Sequence, residues 1–158
     1  MKKPSKIKVI RAKKAIFLLP SFKAITLFGT IYCKRKKDVE AINESDSIDS
    51  VLKCHEMIHV RQAENTGNSW FLFYLNYLWQ WVRNLPLIFV STHMVYKFIP
   101  YEIEAYANER NFYYPTLSEC SQWKTFKKLK MKEKRQYAKE YKKSKMTFWE
   151  FINEVMLP

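Results

Sequence analysis

Six consecutive residues, Cys54-His55-Glu56-Met57-Ile58-His59, bring two imidazoles and a carboxylate together at a spacing that suits metal chemistry. In a helix, His55 and His59 lie one turn apart on the same face, so both rings reach a single metal ion. Glu56 follows the first imidazole and can hang beside the metal without binding it, placed to take a proton from a metal-activated water. A hydrolytic zinc site uses three protein ligands and keeps one position for water, so a further ligand must come from elsewhere in the chain. His93 is the remaining histidine, but it lies in an aromatic stretch without a companion acid and reads as a core or surface histidine. Residues 99–109 hold better candidates. In a helix Glu102, Ala105, Tyr106 and Glu109 share one face, while Glu104 is turned about 200° from Glu102.

The pairing of His55-Glu56-Met57-Ile58-His59 with a glutamate on a later helix resembles the gluzincin metallopeptidases. Glu102-Ile103-Glu104-Ala105-Tyr106 is similar to the E-x-x-A-D element of the membrane-linked metallopeptidases that process prenylated proteins and of their small soluble relatives. That match implies that Glu102 is the third ligand and that Ala105 is the family's alanine. Tyr106 stands where the family has an aspartate, which in relatives supports a ligating histidine. The strings His55 to Gln62 and Ile99-Pro100-Tyr101-Glu102 also look like a group of small bacterial and phage zincin-like domains. The resemblance covers about residues 23–113 and leaves the tail outside it.

The resemblance implies an α+β fold: a small zincin-like domain, mostly helical, with a short N-terminal β-sheet and an active-site helix carrying the H-E-x-x-H motif. It implies a zinc-dependent metalloendopeptidase in which His55, His59 and Glu102 hold Zn2+ and Glu56 is the base, acting on a peptide or protein substrate. A strand at about 25–32 would precede the motif helix, as the substrate-aligning edge strand does in zincins, so a peptide would add to it by β-augmentation. Tyr106, Tyr101 and His93 are the candidate donors to the oxyanion. The alternative is a zincin-like structural or assembly protein with little or no proteolysis, for example a phage virion component with a protein partner.

These residues need elements to position them. Residues 6–10, 15–19 and 23–33 are rich in Ile, Val, Phe, Leu, Thr and Tyr and read as short strands. A charged loop from 34 to 49 leads to Ser47 or Asp49 as the cap of a helix over about 50–65, which carries the motif. Gly67 and Asn68 end it, an aromatic helix follows over about 70–84, and Leu85-Pro86 breaks the line. An apolar segment at 87–98 precedes a helix at about 101–113, with Pro100 at its start and Pro115 beyond its end. Residues 117–145 alternate lysines with Trp123, Phe126, Leu129, Tyr137 and Tyr141, the pattern of one amphipathic helix. Thr147 and Glu150 form a capping box that opens a last helix. The reading is therefore a zincin-like domain over 1–116 and a basic amphipathic helical tail over 117–158, packed on the domain or extending from it.

Composition narrows the classes further. A chain of 158 residues, 47% hydrophobic, can bury a core but leaves no room for multidomain machinery. Gly29 and Gly67 are its two glycines, which excludes glycine-rich phosphate loops. Cys33, Cys54 and Cys120 show no C-x-x-C spacing, so a thiolate zinc site and a disulfide framework are both unexpected and a reducing, cytoplasmic setting is the default. The net charge of +13 is concentrated in two segments. Residues 1–14 hold seven basic side chains and no acid, and residues 124–145 hold eleven against Glu133 and Glu140. The plain reading of the tail is a solvated helix face. The alternative is contact with a polyanion or a membrane surface, with Lys127, Lys128, Lys130 and Lys134 as the contacts. Attachment at the periphery of a membrane, or a place in a virion, would follow from those partners. The apolar stretch at 15–19 is cut short by Pro20 and has no small-residue cleavage site, so a signal peptide is not expected. Neither half of 70–96 is long enough to span a bilayer, and Trp70, Tyr74, Tyr77, Trp79 and Trp81 are expected to pack in the core.

Overall fold

The computed structural model describes residues 8–11, 24–33, 35–43 and 50–157. The fold is α+β and mostly helical. Three four-residue strands, β1 (Lys8–Arg11), β2 (Ala24–Leu27) and β3 (Thr30–Cys33), form a sheet in the order β1-β3-β2. β1 runs parallel to β3, and β2 pairs antiparallel with it from Leu27↔Thr30 to Ala24↔Cys33. The segment expected as strand at 23–33 is thus a hairpin. Its two turn residues, Phe28 and Gly29, both have positive φ (49° and 73°), as a turn whose twist matches the strands requires. Glycine adopts that conformation without a Cβ penalty, whereas Phe28 adopts it under strain and stands exposed. The strand expected at 15–19 lies outside the described residues.

The region expected as a charged loop contains helix α1 (Lys36–Asn43). Its apolar residues Val39 and Ile42 pack against Ile31 and Cys33 of the sheet, a stripe too narrow to stand out among the surrounding charges. Helix α2 (Val51–Glu64) carries the motif. Its cap is Ser50, whose hydroxyl accepts from the Lys53 amide; Ser47 and Asp49 lie outside the described residues. Ser69 caps α3 (Trp70–Arg83) in the same way. A 3-10 turn (Leu85–Phe89) and α4 (Thr92–Lys97) occupy the apolar segment, and α5 (Pro100–Asn108) follows, ending five residues before the expected helix does.

The single amphipathic helix expected over 117–145 is broken: after a short α6 (Tyr114–Leu117) that ends where it was to begin, the segment forms α7 (Trp123–Phe126) and α8 (Met131–Lys143). Two local events break it. Cys120 adopts a left-handed backbone (φ 48°), and Lys130 is extended. The capping box at Thr147 and Glu150 forms as expected and opens α9 (Phe148–Phe151), which runs into a π turn (Ile152–Met156).

α5 is the centre of the packing. On one side Phe98, Ile103 and Ala107 meet Phe126, Ala138, Phe148, Phe151 and Ile152, so residues 117–157 lie against the body of the fold. On the other side Ile58 and Cys54 of α2 pack on Ala105 and Cys120. Alanine at this crossing lets the α2 and α5 backbones approach closely, and that approach brings the motif to Glu102. Trp79 and Trp81 are exposed, contrary to the expected core role, while Trp70, Tyr74 and Tyr77 pack around Phe73, Ile99, Tyr101 and Trp123. Among the described residues, no helix is long and apolar enough to cross a membrane.

Candidate metal centre

The Ser50 cap and the buried face of α2 place His55, Glu56 and His59 inside the fold. Pro100 in the first turn of α5 sets the start of that helix, so Glu102 enters from the facing side. The His55 and His59 Nε2 atoms are 3.2 Å apart. Glu102 Oε1 is 3.2 Å from His59 Nε2, and Oε2 is 3.5 Å from His55 Nε2. One ligand atom from each of the three side chains lies within 4.8 Å of the others. The structure therefore brings together His55, His59 and Glu102, separated by 43 residues of sequence.

The surrounding hydrogen bonds decide which ring nitrogens face the cluster. Glu109 Oε2 is 3.0 Å from His55 Nδ1, and a carboxylate there accepts, so Nδ1 carries the proton. His59 Nδ1 is 2.8 Å from Gln62 Oε1. The orientation of that amide is fixed by its other end, because Gln62 Nε2 donates to the Tyr101 carbonyl at 3.0 Å and to Glu104 Oε2 at 2.8 Å. His59 Nδ1 must then donate as well. Both Nε2 lone pairs are left pointing at each other and at a buried carboxylate whose Oε2 has no hydrogen-bond partner. Two facing lone pairs and a carboxylate require a cation between them, whether protons or a metal ion, and this donor set of two imidazoles and one carboxylate suits zinc.

Without a metal, protons take that role. Burial by itself lowers the basicity of His55, but Glu102 and Glu109 outweigh it and hold the imidazole up to about 10. His59 is raised in the same way, chiefly by Glu102 against burial. Burial raises Glu102, but His59 and His55 overcome it and hold the carboxyl well below the usual carboxylate range.

Glu56 is buried, and its Oε2 accepts from Thr26 Oγ1 of β2 at 2.5 Å. The same strand is tied to α3. Residues flanking a two-residue hairpin turn pair with each other, so the next one out, Thr26, directs its backbone groups away from β3. Its carbonyl accepts from the Tyr74 hydroxyl at 3.1 Å, and that hydroxyl accepts from the Phe28 amide at 2.9 Å. Among the described strands β2 is the sheet edge beside the cluster, and Tyr74 already holds one of its outward carbonyls.

Several residues important to the site were not assigned a role from sequence. Tyr77 donates to Glu102 Oε1 at 2.8 Å. Burial first, and then Glu102, keep Tyr77 and its neighbour Tyr96 protonated far above the ordinary phenol range. Gln62 and Glu104 fix His59, and Glu109 fixes His55. Glu104 is a packing hub, accepting also from the Tyr114 hydroxyl (2.7 Å) and from the Gln122 and Trp123 amides (2.9 and 3.2 Å). The carboxylate that meets His55 Nδ1 is Glu109, two turns beyond Glu102, while the Tyr106 ring packs edge-on against His55 with centroids 4.7 Å apart. Phe148 backs that ring from the tail, at 5.2 Å. Of the other candidate oxyanion donors, His93 is exposed on α4, and Tyr101 is fully buried with its hydroxyl accepting from Asn76. Burial pushes the Cys54 thiol, next to His55, up to about 12, which keeps it neutral and a poor nucleophile.

No protein-family model, curated protein or solved structure matches this chain.

Proposed function

We propose that the protein is a zinc-dependent metallopeptidase with a small zincin-like architecture, in which His55, His59 and Glu102 hold the metal and Glu56 moves the proton. The observation that carries this reading is the hydrogen bonding of the two Nδ1 atoms. It commits both Nε2 lone pairs to one point, beside an unpartnered oxygen of Glu102. Zinc at that point would supply Lewis acidity, lowering the pKa of a water towards about 7 and polarising a peptide carbonyl. Thr26 orients Glu56 through Oε2, which assigns the proton transfer to Oε1. Glu56 takes the proton of the attacking water there and delivers it to the departing amine. Tyr77 has committed its hydroxyl proton to Glu102 Oε1, whereas Tyr106 stands beside Glu102 as a neutral phenol that can donate to a developing oxyanion.

A second reading, a zincin-like structural or assembly protein, is favoured by the Tyr74 contact, which occupies the edge carbonyl of Thr26 that an extended peptide would use. One substitution separates the two. Glu56→Gln preserves size but cannot accept a proton at neutral pH, so zinc should stay while hydrolysis of an unfolded protein falls by at least about 10². Retained hydrolysis in that variant removes Glu56 from the role of base. A zinc-loaded wild type that cleaves no peptide supports the assembly role.

A further inference from the structure

The outer face of α3 has the composition of a core and the position of a surface. Phe71, Leu72, Leu75, Leu78, Trp79 and Val82 fall within about 120° around the helix. All are exposed, Phe71 to 72% and Trp79 to 59%. The opposite face of the same helix holds Phe73, Tyr77 and Gln80 inside the fold, where Tyr77 reaches Glu102. Exposed apolar side chains recur just past the end of α3 in the 3-10 turn that packs on it, where Ile88 is half exposed and Phe89 is 89% exposed. A contiguous apolar surface of this extent on a globular protein marks an interaction site.

Charge identifies the occupant. Between Glu64 and Glu102 the sequence contains no acidic residue at all, while Arg83 lies at the flank of the face and is exposed. The basic helix α8 is anchored at its far end, where Lys142 Nζ donates to the Val90 carbonyl at 2.8 Å. Lys139, Lys142 and Lys143 are exposed on the last turns of that helix, and Lys142 sits next to the residue that follows Phe89. Lys134, grouped with the surface lysines in the sequence reading, is instead buried. It donates to Asn84 Oδ1 and the Phe98 carbonyl, which ties α8 to the turn. Exposed aromatic and aliphatic side chains on a helix free of acids, with lysines at the rim, match the interfacial zone of an anionic bilayer.

We propose that α3 and the 3-10 turn form a docking face for an anionic membrane surface, with Phe71, Trp79 and Phe89 entering the headgroup region and the α8 lysines meeting lipid phosphates. The protein lies on the bilayer by this face, and Tyr77, on the opposite side of α3, stays with the metal cluster.

The test is co-sedimentation of the full chain with vesicles of phosphatidylcholine alone and with about 30% phosphatidylglycerol, at about 0.1 M and about 0.5 M salt. The wild type should bind the anionic vesicles at least about tenfold more tightly than the neutral ones, and the preference should shrink at high salt. Trp79→Ser with Phe89→Ser should lower binding to anionic vesicles at least about tenfold, with circular dichroism and zinc content unchanged, since both side chains are already exposed. Lys139, Lys142 and Lys143 changed together to Gln should abolish the anionic preference. Absence of binding to either vesicle, equal binding to both, or full binding by the serine pair would overturn the proposal. So would sedimentation velocity showing a lipid-free dimer that the serine pair dissolves, which would assign the face to a second copy of the chain.

Discussion

His59 illustrates how much of the cluster's geometry depends on residues outside it. Its Nε2 points into the cluster because Gln62 holds Nδ1, and Gln62 is held because Glu104 takes its amide. Gln62→Leu should therefore leave every ligand in place yet weaken zinc about 10- to 100-fold, and Glu109→Ala should do the same through His55. Competition with a chelator reads both; unchanged affinity would show that the rings orient themselves. Glu102 and Glu104 should behave differently from each other. Glu102→Ala should lose the metal, whereas Glu104→Ala should unpin Gln62 and strand three further donors, lowering the stability of the metal-free protein by about 3 kcal/mol or more. The His55 and His59 pair was legible in the sequence because it depends on one helical period, and Glu102 was singled out by the resemblance rather than by any local pattern. The roles of Gln62, Glu104, Glu109 and Tyr77 were not legible, since their partners are fixed by how α2, α3 and α5 cross.

At the scale of elements, the sequence showed α2, α3, α5 and the capping box of α9 through caps, prolines and apolar periodicity. It did not show α1, whose two apolar positions are lost among charges, or the breaks between α6 and α8. The restart at α7 has a tertiary cause: the Glu104 carboxylate accepts the first amides of that helix, so the chain must begin a new turn there. The Ser50 cap is purely local. Ser50→Ala should cost about 1 kcal/mol and fray the entry to the motif helix, measurable as a drop in the thermal midpoint with zinc stoichiometry retained.

For the molecule as a whole, the cluster links folding to protons and, under the proposed function, to metal. In metal-free protein the folded His55 pKa, about 10, lies above the ordinary unfolded value of about 6.5. Its stabilising contribution is then complete below pH 6.5 and is lost as pH rises through about 10. Chelated protein should lose thermal stability across that window, and His55→Gln should flatten the loss. If zinc replaces the protons, as proposed, the metal-loaded protein should melt higher than the chelated one and show a weaker dependence over the same range. A thermal midpoint indifferent to zinc would disconnect the cluster from the metal.

Zinc content is the most direct measurement of the central claim. Protein purified without added metal should carry about one zinc per chain, and His55→Ala, His59→Ala and Glu102→Ala should each lose most of it. Wild-type protein free of zinc, or variants that keep a full complement, would contradict the assignment of His55, His59 and Glu102 as the metal centre.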